Sequence, residues 1–360
     1  MKVLLLGEFS ALHKYLKEGL QQLGISTLLF SNGDSWKKIS GADDILFRND
    51  GNLITKIYKR NIEPCLNINK FFGYDVVQLI NTYTFYPLVN SFMVKQIKKH
   101  NSCLSLCSCG YDTRQYQKYI EGFFEYAMLD GVQKVLDSFN PSTFKGKFRS
   151  WNDYRIEEFS DVVIPSSYEY EVGYSECLKV SPVIPFPINV DEIKYQENRI
   201  INDKIIFFHG LNREEEKGTR YIQEAFNKLK NNYPCDVEII VDGHLPFDKY
   251  LEITNKANVI VDQCKSYGYG MNACVSMARG KVVMSGARKE ALHAYKTENC
   301  PIIHISPNVE HIYSQMVHII EHRNEISKWG YESRMYVEDL HDCRKVAQQY
   351  VDAWKSTGKL

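Results

Sequence analysis

The chain has 360 residues, long for one core and comfortable for two, since domains cluster near ~100–200 residues. Its 44 basic and 44 acidic side chains cancel, which excludes an overall field for nucleic acid and points to partners that are small or locally recognised. Ten cysteines in a long chain that begins MKVLLLGEF, without a signal peptide, read as reduced cytosolic thiols, and no apolar run approaches the ~18 residues that span a bilayer. The expectation is a soluble cytoplasmic protein, with peripheral contact at the inner membrane surface left open.

Short apolar runs then alternate with helix-period segments. KVLLLGEF reads as a strand, HKYLKEGLQQLG as a helix stopped at Gly24, and STLLFSN as a second strand. DVVQLINTY leads into PLVNSFMVKQIKKH, whose proline suits a first helical position and whose lysines suit the last turn. CLSLCS and DVVIPSS are buried-type strands. The thiols of Cys103, Cys107 and Cys109 raise a metal site as an alternative, but their alternation fits a strand face and no histidine lies at ligand spacing. Residues 110–160 are aromatic-rich and less regular, a helical excursion with an acceptor or membrane-facing surface as the alternative.

SPVIPFPIN places Pro182, Pro185 and Pro187 where neither ladder nor helix tolerates them, a natural linker. Beyond it the rhythm restarts: IIFFHG and KGTRYIQEAFNKLKN, VEIIVDG and a short helix, NVIVDQ, then KSYGYGMN opening a small-residue helix, VVMSGA, PIIHI, and helices at VEHIYSQMVHIIEHRN and DCRKVAQQYVDAWKS. Repeated βα units mean parallel sheets. The fold class is α/β, with two Rossmann-like domains.

In such sheets ligands sit at the carboxyl ends of strands. The loops there run over 8–13, 110–114 and 166–169, then 209–217, 242–244 (with His244), 265–272 and Arg288. In KSYGYGMN, Gly268 and Gly270 let a bulky anion approach backbone N–H groups at a helix start, so a phosphate is the natural guest; a plain tight turn is the alternative. GYGMNA also satisfies a dinucleotide pattern, yet the next strand ends in Ser285 and Gly286 rather than the acid that would hold a ribose. Arg213 and Lys217 fall at a helix start, where cations are disfavoured unless an anion lies between them; the alternative is a solvated pair balanced by Glu214, Glu215 and Glu216. No Asp-x-Asp triplet occurs, so a metal-independent site is expected.

HGLNREEEKGTRYIQEAFNKL, ANVIVDQCKSYGYGMNACVSMARGKVV, and DVVIPSSYEYEVGY with PFPIN resemble glycosyltransferases of the GT-B fold, in the retaining, sugar-nucleotide-dependent group 4-like class of polysaccharide biosynthesis. The resemblance covers about half the chain. It implies two domains facing across a cleft: an acceptor-binding one over residues 1–185, rejoined by a last helix at about 335–360, and a nucleotide-sugar-binding one over 186–334. His209, Arg213, Lys217, Tyr267, Gly268, Gly270, Met271 and Asn272 then form the donor site, with Arg213 and Lys217 on the diphosphate. Two glutamates usual in such enzymes are replaced by Tyr267 and Val275. Asn272, one helical turn before Val275, and the Tyr267 hydroxyl are the neutral groups left to take over sugar recognition. The histidine often found after the strand matching CLSLCS is also missing. Asp112 is the leading catalytic candidate there and Glu8 the next, with an Asx cap as the alternative for Asp112.

The expected activity is transfer of a hexose from a nucleotide-diphosphate donor to a glycan or lipid-linked saccharide in surface polysaccharide assembly, with the nucleotide sugar as co-substrate and no cofactor. A nucleotide-sugar 2-epimerase-like isomerase and a catalytically silent nucleotide-sugar-binding partner are the alternatives.

Overall fold

KVLLL and STLLF form β1 (Lys2–Leu6) and β2 (Ser26–Phe30), paired in parallel from Lys2 with Ser26 to Leu6 with Phe30. The computed structural model describes residues 1–34, 37–243 and 247–360, excepting the side chains of 247–250; His244 therefore lies outside the described residues. With β3 (Val76–Leu79), β4 (Cys103–Ser108) and β5 (Val162–Pro165) the first sheet runs β2-β1-β3-β4-β5, parallel throughout.

The period of two along each strand divides its side chains between two cores. Leu4, Leu6, Val77, Leu79, Leu104 and Leu106 point to one, completed by Met93, Val94 and Ile97 of the helix Pro87–Lys99 and by Ile156 of Phe144–Phe159. Val3, Leu5, Val76, Cys103 and Ile164 point to the other, with Leu16 and Leu20 of Leu12–Gln22 and Val346, Tyr350 and Trp354 of Cys343–Lys355. Cys103 and Cys107 are fully buried in β4, as their strand-face reading requires. Residues 110–160 are helical over Thr113–Ile120, Gln133–Phe139 and Phe144–Phe159. Residues 53–71, where the sequence pattern gave no assignment, are helical too.

The second sheet is built from β6 (Ile205–Gly210), β7 (Val237–Asp242), β8 (Val259–Val261), β9 (Val282–Ser285) and β10 (Ile303–His304), in the order β10-β9-β8-β6-β7. Its core packs Ile205, Phe207, Val259, Val261, Val282 and Met284 against the helices Thr219–Asn232 and Val309–Glu321. Counted from its first strand, each sheet has the same order, 2-1-3-4-5. The chain divides into two units: Met1–Glu121, Lys134–Asn189 and Cys343–Leu360 form one, and Gly122–Gln133 with Val190–Asp342 the other. Trp354, in the returning helix, donates its indole N–H to Gln78 Oε1 on β3 at 3.0 Å within the first unit.

Candidate functional site

Doubly wound sheets bind ligands outside the carboxyl ends of the two strands where the winding reverses. In the second unit those strands are β6 and β8, and the residues at their ends are His209 and Asp262. His209 is fully buried. Its Nδ1 lies 2.7 Å from the Val261 carbonyl, which can only accept, so Nδ1 carries the proton and Nε2 accepts from the Thr219 hydroxyl at 2.8 Å. Burial, reinforced by the charge of Lys217, pulls its pKa down to about 4. This neutral ring joins β6, β8 and the start of Thr219–Asn232, and both of its nitrogens are committed within the protein.

Lys217 does not begin the long helix; it ends a one-turn helix, Glu214–Lys217, and Gly218 at φ 75 links it to Thr219–Asn232. A Cβ on Gly218 would stand 2.5 Å from Cys264 Sγ, so the close approach as well as the left-handed backbone calls for glycine. The Lys217 side chain is 8% exposed and its ammonium meets Asp262 Oδ1 at 2.9 Å, with Asp262 2% exposed. Of the alternative in which Arg213 and Lys217 are a solvated pair balanced by Glu214, Glu215 and Glu216, the Lys217 half is thereby corrected, while Arg213 is exposed. Asn272 Nδ2 donates to the same oxygen, also at 2.9 Å. One carboxylate oxygen thus ties the loop after β6, the end of β8 and the first turn of Met271–Ala278. Burial raises the Asp262 pKa, and the Lys217 charge and the two hydrogen bonds outweigh it, holding the carboxyl below its usual range. Asp262 was not singled out from the sequence; its signal is an acid at the carboxyl end of the strand that precedes the glycine loop. Arg213 is exposed, sits in the left-handed region at φ 57, and makes no ion pair among the described residues.

The glycine loop opens a helix as expected. Gly270 caps Met271–Ala278 and, as a glycine, brings no side chain to accept from its first turn. Gly268 and Met271 are buried, and Gly270 and Asn272 half-buried. The end of β9 holds the loop from behind: a Cβ on Gly286 would lie 2.1 Å from the Ser266 carbonyl oxygen and 2.5 Å from that of Gly268. Tyr267 is 6% exposed. Its hydroxyl accepts from the Glu125 N–H at 3.0 Å, the Arg288 guanidinium lies 4.3 Å from its ring centroid, and Arg288 pairs with Glu125 at 2.6 Å. Residues 122–133 thus cover Tyr267 inside the second unit, and Lys265 secures them by donating to the Asp130 carbonyl at 2.7 Å. Sequence reasoning treated this segment only as part of an aromatic excursion.

In the first unit the reversal lies between β1 and β3, and Glu8 follows β1. Its carboxylate accepts from the N–H groups of His13 (3.3 Å) and Lys14 (2.8 Å), at the start of Leu12–Gln22. Burial pushes its pKa up to about 7 against those N–H groups. Asp112 caps Thr113–Ile120: Oδ1 accepts from the Gln115 N–H at 2.9 Å, and Oδ2 from the hydroxyls of Tyr174 at 3.0 Å and Ser108 at 3.3 Å. Burial, with Asp153 adding, raises it to about 6. Capping accounts for the Gln115 bond of Asp112 but not for the two hydroxyls on its second oxygen, and Glu8, the carboxylate at the reversal point, likewise receives first-turn N–H groups, those of Leu12–Gln22.

The two parallel sheets, each with the same winding, are two Rossmann-like domains, the fold of the GT-B structures that the chain resembles. Among solved structures, the chain is similar to sucrose-phosphate synthase from Thermosynechococcus elongatus (TM-score 0.63, 14% identity, 99% of each chain covered). HepE from Anabaena in complex with UDP-glucose gives a TM-score of 0.62 at 12% identity, covering 99% of this chain and 100% of that one. UDP-GlcNAc 2-epimerase from Neisseria meningitidis bound to UDP-GlcNAc gives 0.57 at 14% identity, covering 98% and 99%. No family model and no curated protein sequence matches the chain.

Proposed function

We propose that this protein is a glycosyltransferase that moves a hexose from a nucleoside-diphosphate sugar to a glycan or lipid-linked saccharide at the inner membrane surface, in polysaccharide biosynthesis and with retention at the anomeric carbon. The observation that carries the reading is the arrangement at the ends of β6 and β8, where Asp262 fixes Lys217 and Asn272 against a helix start capped by glycine. A helix start offers N–H groups without partners inside the helix and the positive end of its dipole, which suits a diphosphate. Arg213, exposed and without an ion pair among the described residues, supplies the cation that meets the departing diphosphate as charge develops on it. Glu8, with a pKa of about 7, is the group assigned to the proton of the acceptor hydroxyl. The fold neighbours solved with UDP-glucose and with UDP and glucose support a nucleotide sugar as co-substrate. No Asp-x-Asp triplet is present for a divalent ion, so transfer proceeds without metal in this reading.

A 2-epimerase-like reaction is the second reading, favoured by the fold neighbour bound to UDP-GlcNAc; a silent sugar-nucleotide-binding partner is the third. Incubation with a panel of nucleotide sugars, with and without saccharide acceptors and in excess chelator, separates them. Glycosyl transfer or slow donor hydrolysis supports the first, an epimerised donor the second, and binding alone the third. Arg213→Ala should lower turnover by about 10²-fold, as for other donors that stabilise developing charge. Unchanged turnover and unchanged UDP affinity in that variant would refute the diphosphate assignment.

A further inference from the structure

The two faces of the first sheet carry different outer layers. Over the face of Leu4, Leu6 and Val77 lie the helical residues 53–71, Pro87–Lys99 and Phe144–Phe159, anchored inward by Phe71, Met93 and Ile156. These elements adjoin one another. The Arg60 guanidinium stands 4.6 Å from the Tyr86 ring centroid, Tyr86 immediately precedes Pro87–Lys99, and Asn90 Nδ2 on that helix donates to Asn152 Oδ1 on the third at 3.0 Å. The solvent side of this layer carries large apolar groups: Leu53 is 74% exposed, Ile54 79%, Leu66 67%, Leu88 80%, Phe144 85% and Trp151 50%. Over the opposite face, Leu12–Gln22 and Cys343–Lys355 expose no large hydrophobic side chain among the described residues.

Single exposed apolar residues are ordinary, but a set gathered on adjoining helices marks an interaction surface. The charge on these elements has a positive excess, although Lys59, Lys70 and Lys98 pair with Asp50, Asp44 and Asp161 and Phe144–Phe159 sets Asp153, Glu157 and Glu158 against Lys145, Lys147, Arg149 and Arg155. Pro87–Lys99 holds Lys95, Lys98 and Lys99 and no acid, and residues 53–70 hold Lys56, Lys59, Arg60 and Lys70 against Glu63. Lys145 and Lys147 are exposed beside Phe144. A chain with no net charge has gathered a positive excess around its exposed leucines and aromatics. That is the composition of helices that lie in a membrane interface.

We propose that this layer docks on an anionic phospholipid bilayer, with Leu53, Ile54, Leu88 and Phe144 entering the headgroup boundary and the lysines meeting lipid phosphates. A second copy of the chain fits less well, because a two-fold contact would set this lysine-rich patch against itself. The inference deepens the lipid-linked acceptor of the proposed function and rests on that reading for its purpose, though not for its measurement.

The test is vesicle flotation without nucleotide or acceptor, using phosphatidylcholine alone and phosphatidylcholine with about one third phosphatidylglycerol. The wild-type chain should float with the anionic vesicles, remain behind with the neutral ones, and release as salt rises. The triple variant Leu53→Ser, Ile54→Ser and Leu88→Ser should bind about tenfold more weakly, with an unchanged melting curve because all three side chains are exposed. Leu178→Ser, an exposed leucine outside these helices, should bind as wild type. Absence of flotation, flotation unaffected by the triple substitution, or a dimer in sedimentation that the same substitutions dissociate would each overturn the proposal. A chain that floats yet uses no donor would keep the docking face and lose the glycosyltransferase reading, and a chain that turns over donor without floating would do the reverse.

Discussion

Asp262→Asn is the sharpest test of the site, because it preserves shape and removes one charge from a pair taken out of water. The side chains are 2% and 8% exposed, and the shared oxygen lies 2.9 Å from both Lys217 Nζ and Asn272 Nδ2. Stripping one partner from a buried ion pair costs about 3–5 kcal/mol, since the other charge stays buried without compensation. The asparagine oxygen still accepts a hydrogen bond, so the low end, about 3 kcal/mol, is expected. At about 1.4 kcal/mol per factor of ten, amide exchange in β6 and β8 should lose about 10²-fold in protection, read by mass spectrometry at neutral pH. UDP carries the missing negative charge, so saturating UDP should restore more protection to the variant than it adds to wild type. Protection within about twofold of wild type, together with equal gains from UDP, would refute the argument. The sign of the pH effect follows from the lowered carboxyl pKa. The stability Asp262 contributes is present above its unfolded value and lost as pH falls through the folded one, so wild type and variant converge in acid.

Glu8 behaves in the opposite sense: its pKa rises from 4.5 to about 7, so the fold favours the neutral acid, and stability declines between those values and then levels. Glu8→Gln should remove that decline, gaining up to about 3 kcal/mol on wild type between pH 5 and pH 8 in urea unfolding; parallel profiles would contradict the assignment. Gly286→Ala puts a methyl group against two backbone oxygens, 2.1 Å and 2.5 Å away, and must displace the glycine loop. UDP affinity by calorimetry should fall about tenfold, the low end of the cost of overpacking, and wild-type affinity would show that the loop does not hold the nucleotide.

Much of the architecture was legible because it is written in local properties. Apolar runs such as KVLLL, CLSLCS and IIFFHG can be buried on both faces only in a parallel sheet, and each is a strand. KSYGYGMN announced a helix start because glycine and small residues set backbone conformation within a few positions, and Met271–Ala278 begins there. The donor site was legible only in part. Lys217 and Asp262 are 45 positions apart, and nothing near either one says that the reversal of winding between β6 and β8 brings them together. The helical stretch 53–71 was unassigned, since apolar residues left outside break the periodicity that reveals a helix.

The sequence by itself determined which segments are strands, where glycine permits backbone to approach an anion, and which residues carry charge. Tertiary structure alone decided which of those charges are solvated. Arg213 lies in water and Lys217 in an ion pair, Tyr267 is covered by residues 122–133, and Leu53 and Leu88 face outward among lysines. Propensity and turn chemistry act over a few residues, whereas solvation depends on which distant segments come to pack against a side chain, and that is set only when the sheet is wound.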